Sequence, residues 1–186
     1  MSKNIHNNLK LNLGCGKRNF GEDWLHIDGG DYGHLHSHDI VKLPLNNESA
    51  KLIYASHVIE YFDREELKIL LKEWHRVLNK GGTLRLAVPN FQAICKLYAD
   101  GDPLQSFLGP LFGKMPMGDQ IIYHKTVFDY QSLRNVLCEN GFHDVREWDW
   151  RKVDHGNFDD HSQAYLPHLA KETGTLISLN LEATKE

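Results

Sequence analysis

The chain has 186 residues, of which 41% are hydrophobic and 25% are charged, and its formal net charge is −4. These proportions are typical of an ordinary globular domain that buries a core of its own. The sequence has no basic tract, which disfavours nucleic acid as a partner because phosphate binding requires clustered lysine and arginine. We therefore expect one domain over residues 1–186 that acts on a small molecule.

The N-terminal residues and the cysteines indicate the cellular compartment of the protein. Residues Met1 to Asn8 are polar, and no apolar run is long enough to span a bilayer. The three cysteines are odd in number and include no CxxC pair, so they indicate neither a disulfide framework nor a thiolate zinc site. The sequence predicts a cytoplasmic protein without a membrane partner, and it leaves the oligomeric state open.

The first apolar segment ends in a glycine turn, Lys10-Leu-Asn-Leu-Gly-Cys-Gly16. Gly14 and Gly16 allow positive φ and a close approach of a ligand to the backbone. Asp28 ends the next apolar run, where an ionised carboxylate can accept hydrogen bonds from two neighbouring ribose hydroxyls. Strand, glycine turn, strand and carboxylate together predict a site for an adenosine-containing molecule.

Only about seven residues separate Gly16 from Trp24. A parallel crossover usually takes a dozen or more residues with a helix. We therefore expect the first helix to be vestigial or a single turn.

These motifs resemble those of class I S-adenosylmethionine-dependent methyltransferases, in their small type 11 branch. Leu13 to Gly16 with Asp28 is similar to the first two motifs of that family. Asp39-Ile40 resembles its adenine-contacting segment, Leu52 to Glu60 its fourth strand and strand exit, and Arg76 to Leu86 its next helix, glycine turn and fifth strand. The matches occur in the family's order over roughly the first half of the chain.

The resemblance implies a methyltransferase whose cofactor is S-adenosylmethionine and whose product is S-adenosylhomocysteine. It also implies a Rossmann-like, doubly wound α/β sandwich with a seven-stranded, mostly parallel sheet and an antiparallel last strand, Thr175 to Leu181. The implied cofactor-binding residues are Leu13, Gly14, Cys15, Gly16, Asp28, Asp39, Ile40, Ser56 and His57.

Local signals predict the elements in the second half. Asp63 and Glu66 form a capping-box start for an amphipathic helix, which we expect to end at Gly81-Gly82. Asp129 is predicted to cap another helix that ends at Gly141. The remaining predicted elements are a strand from Thr83 to Val88, a strand from Phe142 to Trp150 and a loop from Val153 to Leu166.

An apolar but irregular stretch, Asp100 to Gly118, contains three prolines and four glycines. Such a segment is unlike a solvated linker, and loops of this length are often functional. We expect a substrate lid at about residues 100–124, with packing alone as the alternative. In the resembling family, residues corresponding to Tyr123 and His124 lie near the active cleft.

Polar residues at the exit of the strand Lys51 to His57 are candidates for the chemistry, because ligands bind at the carboxyl ends of strands in open α/β sheets. Ser56, His57 and Glu60 occupy this exit. His57 and His124 are the predicted catalytic residues, since histidine titrates near neutral pH and can remove a proton from a hydroxyl acceptor. With an amine or thiolate acceptor they would only orient the substrate.

Two other interpretations compete with a methyltransferase that acts on a small polar metabolite or sugar. One is a non-catalytic S-adenosylmethionine-binding sensor or accessory subunit. The other is a metal-dependent hydrolase built on His34, His36 and His38, but no distal ligand set follows them and we predict no metal site. A nicotinamide site is weaker still, because Gly14-x-Gly16 is not followed by a third glycine at Asn19.

Overall fold

The structure, a computed structural model, describes residues 8–186. All but the last residue of the polar stretch Met1 to Asn8 lies outside the described residues. The strands are β1 Leu9–Leu13, β2 Trp24–Ile27, β3 Ala50–Ser56, β4 Leu78–Pro89, β5 Met115–Met117, β6 Gln120–Ile122, β7 Phe142–Glu147, β8 Tyr165–Leu166, β9 Thr175–Leu176 and β10 Ser178–Lys185. The α-helices are α1 Arg64–Val77, α2 Phe91–Ala99, α3 Leu108–Phe112 and α4 Tyr130–Glu139.

The main sheet has the strand order β2-β1-β3-β4-β10-β7. Strands β1 to β4 pair in parallel, whereas β10 is antiparallel to both of its neighbours, β4 and β7. The expected Rossmann-like α/β architecture with an antiparallel last strand is confirmed. That strand runs over Ser178–Lys185, later than the expected Thr175 to Leu181, because Thr175–Leu176 pairs with β8 instead. Because β1 to β4 are parallel, their carboxyl ends meet at one edge of the sheet, which we call the carboxyl edge.

The expected strand count of seven is wrong, because over residues 8–186 the main sheet has six strands. The segment after β2 makes only one parallel bridge to it, between Ile27 and Ser37. Immediately afterwards the Asp39 carboxylate accepts hydrogen bonds from the N–H groups of Val41 and Lys42. This local side-chain bonding competes with strand pairing, so the chain turns instead of extending a seventh strand.

The helix caps follow the sequence signals. Asp63 and Glu66 form a complete capping box at the start of α1, and Asp129 forms one with Ser132 at the start of α4. Helix α1 ends at Val77, earlier than the expected Gly81-Gly82, and the glycine pair lies within β4.

One face of the sheet is apolar and packs against α1 and α4. Alternate strand residues such as Leu11, Ile53 and Leu86 are fully buried there against helical side chains. The buried helical residues are Leu67, Leu70, Leu71, Trp74, Val77, Leu133 and Leu137. This face supplies the main hydrophobic core.

The other face is aromatic and polar, and residues 148–166, here called the cover segment, pack on it. Its cluster contains Phe20, Trp24, Tyr54, Ala87 and Trp148. The Tyr54 hydroxyl donates a 2.6 Å hydrogen bond to Asp160, and the Trp148 indole donates one to the carbonyl of Leu86.

The strand expected over Phe142 to Trp150 therefore ends at Glu147, where Trp148 turns into this cluster. Between Gly16 and Trp24 the chain forms turns instead of a helix, as its length predicts. The Val153 to Leu166 stretch is mainly loop as expected, but it contains the short 3₁₀ helix His161–Gln163 and buries His155 and Asp160. Within residues 8–186 none of the helices has the length and apolar character needed to cross a bilayer.

Candidate active site

The glycine turn after β1 has the backbone conformation that its sequence requires. Gly14 and Gly16 have φ of 67° and 56°, in the left-handed region. A Cβ at Gly14 would overlap the Val58 side chain, so the turn packs directly against the exit of β3. A Cβ at Gly16 would have no atom within 4 Å, which leaves open space over this part of the backbone.

Asp28 lies directly beside this turn and is only 7% exposed. One carboxylate oxygen accepts a 2.8 Å hydrogen bond from the N–H of Gly16, and the other accepts a 2.7 Å bond from that of Gly30. Each oxygen keeps a second lone pair, so both can still accept a hydroxyl. An open glycine turn and a buried carboxylate with spare acceptor capacity fit the ribose of an adenosyl cofactor.

Three other predicted cofactor residues lie at the same edge. Leu13 and Ser56 end their strands, and the buried Cys15 has its Sγ 3.8 Å from Nε2 of His34. Burial, with a smaller contribution from Asp28, raises the pKa of Cys15 to about 12. The thiol therefore stays protonated at neutral pH and is a small neutral group in the turn.

Asp39 and Ile40, the pair predicted to contact adenine, are not joined to the glycine turn in the same way. Asp39 is exposed and its carboxylate holds its own turn. The Ile40 side chain packs against the main core, and its carbonyl accepts a hydrogen bond from the Trp74 indole. No described contact joins either residue to Gly14, Gly16 or Asp28, so their role toward adenine stays a prediction.

His57 occupies a strained position at the exit of β3. Its φ is 54°, which is uncommon for a residue with a side chain. Its N–H donates a 2.8 Å hydrogen bond to the carbonyl of Ala87 on β4. The ring lies with its Nδ1 3.4 Å from Oε1 of Glu60 and its Nε2 3.4 Å from the Ser178 hydroxyl. Backbone strain of this kind is concentrated at functional sites.

Glu60 is a fully buried carboxyl group between two histidines. Its Oε1 is 3.4 Å from His57 and 3.8 Å from Nε2 of His124, and its side chain is 0% exposed. Neither carboxylate oxygen accepts a hydrogen bond from another of residues 8–186. The Glu60 carbonyl accepts the N–H groups of Lys125 and Thr126, which fixes the segment that carries His124. The structure thus brings together the two predicted catalytic residues, His57 and His124.

Burial sets the protonation of this triad. It raises the pKa of Glu60 to about 8, and it lowers that of His124 and, well below its usual range, that of His57. Nδ1 of His124 lies 3.1 Å from the carbonyl of Pro110, which can only accept, so Nδ1 carries the hydrogen. Nε2 of the neutral His124 ring is therefore an acceptor that faces the protonated Glu60.

His161 lies beside His57, and the charge of Arg18 acts on both rings. The ring of His161, from the cover segment, has its centroid 5.1 Å from that of His57. The positive charge of Arg18, in the turn after Gly16, contributes to lowering the pKa of both histidines. The sequence alone gives no sign that His161 joins this group, because it follows His57 by most of the chain.

The segment predicted to be a lid lies close to both parts of the site, the loop after Asp28 and the catalytic candidates. Strands β5 and β6 form a hairpin, and a Cβ at Gly29 would lie 2.9 Å from the sulfur of Met117 in β5. Gly113, which precedes the hairpin, lies close to the His124 ring and to Tyr61. A Cβ built at Gly113 would be 2.7 Å from the His124 ring and 3.1 Å from the hydroxyl of Tyr61. Residues 113–124 therefore run from the catalytic candidates to the loop that follows Asp28.

The histidines after β2 form hydrogen bonds with backbone groups. Nδ1 of His36 lies 3.1 Å from the N–H of His26, and Nδ1 of His38 lies 2.9 Å from the carbonyl of Gly30. Nε2 of His34 is 3.1 Å from the carbonyl of Arg18. Over residues 8–186, no three histidine, cysteine or carboxylate side chains are grouped to hold a metal ion.

Residues 18–86 match a family model described as a methyltransferase domain. No curated protein matches the sequence. Among solved structures, an S-adenosylmethionine-dependent methyltransferase from Mesorhizobium loti is 18% identical, with a TM-score of 0.57 over 97% of this chain and 92% of that one. A Methanosarcina mazei structure of the same description is 17% identical, with a TM-score of 0.58 over 97% and 93%.

A Haloferax volcanii chain, solved in complex with the Trm112 methyltransferase activator, is 14% identical. Its TM-score is 0.55, over 96% of this chain and 82% of that one. At these identities the solved structures establish the fold. The family match over residues 18–86 and the shared fold both agree with the expected class I S-adenosylmethionine-dependent methyltransferase.

Proposed function

We propose that the enzyme methylates a hydroxyl group of a small polar metabolite or sugar. The observation that carries this proposal is the buried carboxyl group of Glu60 between His57 and His124 at the carboxyl edge of the sheet. Methylation of a hydroxyl requires a proton to be removed, and a buried base with a carboxyl partner suits that task. An amine or thiolate acceptor would not need such a triad.

Residues of the glycine turn would hold the cofactor. The Asp28 carboxylate would accept the ribose hydroxyls, and the open backbone at Gly14 to Gly16 would lie against the adenosyl group. Leu13, Cys15, Ser56, Asp39 and Ile40 would complete this side of the cleft. When bound, S-adenosylmethionine supplies an electrophilic methyl group to the cleft.

His57 and His124 would orient the acceptor and take its proton. Nε2 of each ring is the candidate base atom, and Glu60, once ionised, would stabilise the imidazolium that results. His57 is on the strand exit beside the glycine turn, whereas His124 comes from the lid. Two histidines beside one buried carboxyl group would help to align the acceptor oxygen.

Residues 100–124 would act as a substrate lid on a single domain that spans residues 1–186. The contact between Met117 and Gly29 supports this assignment, because it places the hairpin over the loop next to Asp28. A lid in this position would exclude water from the cleft during transfer.

The test is a transfer assay with S-adenosylmethionine carrying a labelled methyl group and a panel of sugars, other hydroxyl metabolites, amines and thiols. We expect label in a hydroxyl product. Label in amines or thiols alone would contradict the hydroxyl assignment. Binding of S-adenosylhomocysteine without transfer to any acceptor would favour the sensor interpretation.

The variant His124→Gln tests the role of the lid histidine in the same assay. We expect the rate to fall by about 10²-fold or more, the usual contribution of a general base, with S-adenosylhomocysteine affinity unchanged. His143→Gln is the matched control, because His143 is on β7 and its side chain is 46% exposed. Equal rates for the two variants would remove His124 from the mechanism.

A further inference from the structure

A cavity of about 360 Å³ lies far from the glycine turn, on the aromatic face of the sheet. Lys10 and Leu52 line its floor near the amino ends of β1 and β3, and residues 152–155 of the cover segment form its wall. Gly14 lies four positions after Lys10, which is about 13 Å along a strand. The cavity is therefore separate from the carboxyl edge and from the methyl-transfer site. Its volume is within the range of small-molecule sites.

Its lining is strongly cationic although the chain as a whole is acidic. Four of the lining residues are Lys10, Lys51, Arg85 and Lys152, and among residues 8–186 the only lining carboxylate is that of Asp154. The formal charge of the whole chain is −4. The positive charge at this place is therefore a local concentration, and a cavity lined by one sign of charge attracts ligands of the opposite sign.

Arg85 lines the cavity but is held by a carboxylate, Glu182, which it shares with Arg146. The Arg85 guanidinium donates hydrogen bonds of 2.8 and 3.0 Å to Glu182 on β10. A third nitrogen lies 3.3 Å from Nε2 of the buried His155. Burial and the nearby Arg85 lower the pKa of His155 to about 4, so its ring adds no charge.

The three lysines lack comparable partners. Lys10 is 3.7 Å from Asp154, whose side chain is 90% exposed, and Lys152 is 3.9 Å from Asp149. Lys51 forms no ion pair with any of the described residues. Asp154 and Lys152 are exposed, and ion pairs of solvent-exposed groups at such distances contribute about 0 to 1 kcal/mol, so these ammonium groups remain available to a ligand. Lys10 is less exposed, at 20%, and its Nζ also lies 5.4 Å from the centre of the Trp24 ring.

A break in the sheet register coincides with Lys51. Against β1 the pairing passes from Leu9–Ala50 to Lys10–Leu52, which leaves Lys51 as an extra residue in β3. The register against β4 also shifts here, but there the extra residues are those of β4 between Leu78 and Thr83. Such bulges re-aim a side chain and are frequent beside functional sites. Here the irregularity places Lys51 in the lining of the cavity together with Leu52, its neighbour in sequence.

We propose that this cavity binds a phosphate-bearing small molecule through Lys10, Lys51 and Lys152. Several ammonium groups around a small volume match a compact anion with more than one negative charge, and lysine binds phosphate as a point charge. The lysines line one walled cavity instead of an extended stripe, which favours a small molecule over a nucleic-acid backbone. The site lies outside the methyl-transfer cleft and does not depend on the identity of the acceptor.

Calorimetric titration with inorganic pyrophosphate tests the proposal on the full chain. We expect saturable binding to the wild type and at least tenfold weaker binding to the double variant Lys51→Ala/Lys152→Ala. The matched control is Lys68→Ala/Lys72→Ala on α1, which removes the same charge from another exposed surface. Both altered lysines of the cavity are exposed, so the fold should tolerate their loss.

Three outcomes would overturn the proposal. They are no saturable binding to the wild type, equal weakening in both double variants, and displacement of pyrophosphate by S-adenosylhomocysteine. S-adenosylhomocysteine affinity, measured on every variant, separates loss of the anion site from loss of the fold. Because pyrophosphate binding is read without turnover, its failure is distinguishable from failure of the proposed methylation.

Discussion

His57 and Glu60 are joined within one turn of the chain, with Nδ1 of the ring 3.4 Å from a carboxyl oxygen that has no exposed surface. The positive φ of His57 directs the chain into the short 3₁₀ helix that carries Glu60. The same turn contains Val58, which packs on Gly14. His57, Glu60 and the glycine turn are thus held by one local structure.

The activity of the wild type should increase with pH through the titration of Glu60. Its pKa is raised to about 8, so below that pH the carboxyl group is neutral and does not stabilise an imidazolium at His57 or His124. Above it, the carboxylate stabilises the imidazolium and transfer to a hydroxyl accelerates. The variant Glu60→Gln should lose this rise in a pH–rate profile. Glu65→Gln, at a side chain that is 81% exposed, is the control. A rise that persists in Glu60→Gln would mean that another group titrates.

Glu60 should also lower the stability of the protein at neutral and alkaline pH. Its pKa is about 8 in the folded state against an ordinary value of 4.5, so between these values folding takes up a proton and stability falls as pH rises. We expect Glu60→Gln to unfold at a higher temperature than the wild type, with the difference growing from pH 5 to pH 8. One pKa unit is worth about 1.4 kcal/mol, which puts the effect on the order of a few kcal/mol. A pH-independent difference between the two melting curves would contradict this.

Asp28→Asn should weaken S-adenosylhomocysteine binding by about 10²-fold, because hydrogen bonds to a charged acceptor contribute about 1.5 to 3 kcal/mol each. The amide can accept one backbone N–H but places its own N–H₂ group against the other. We therefore also expect a modest loss of thermal stability. Titration calorimetry beside Asp31→Asn, an exposed neighbour, provides the measurement and its control. Unchanged affinity in a folded Asp28→Asn variant would refute the ribose assignment.

Alanine substitutions at Gly14 and Gly16 should separate steric overlap from backbone strain. Both glycines have positive φ, which costs a residue with a Cβ about 1 to 2 kcal/mol. Only at Gly14 would the new Cβ meet the Val58 side chain, so Gly14→Ala should be the more destabilising in urea unfolding. Val58→Ala should remove part of the excess cost, which a double-mutant cycle measures. Equal costs at the two glycines would show that the contact with Val58 relaxes freely.

Much of the fold could be predicted because its signals are local. Residues that are close in sequence determine the helix caps at Asp63 and Asp129 and the glycine turn at Gly14. The structure has each of these features. The missing seventh strand was not predictable, because it depends on whether the Asp39 side chain or a neighbouring strand binds the backbone. That competition is decided by tertiary packing.

The candidate site was predictable in its parts but not in its arrangement. The residues His57, Glu60 and His124 could each be named as candidates, yet only the folded chain places one carboxyl group between the two rings. His161 joins them through the cover segment, which carries no periodic signal. The burial that raises the pKa of Glu60 arises from the whole surrounding structure, so it has no counterpart in local sequence.

The position of β10 between β4 and β7 constrains the order of folding. Strands β3 and β4 with helix α1 are consecutive in the chain, so they can assemble through short loops. By contrast, the pairing of Ser178 with Pro89 closes a loop that contains α2, α3, α4 and β7. Closing a long loop costs chain entropy before its contacts form, so this step is slow. The transition state for folding should therefore be reached when β10 inserts, and substitutions along it should slow refolding more than those in β2.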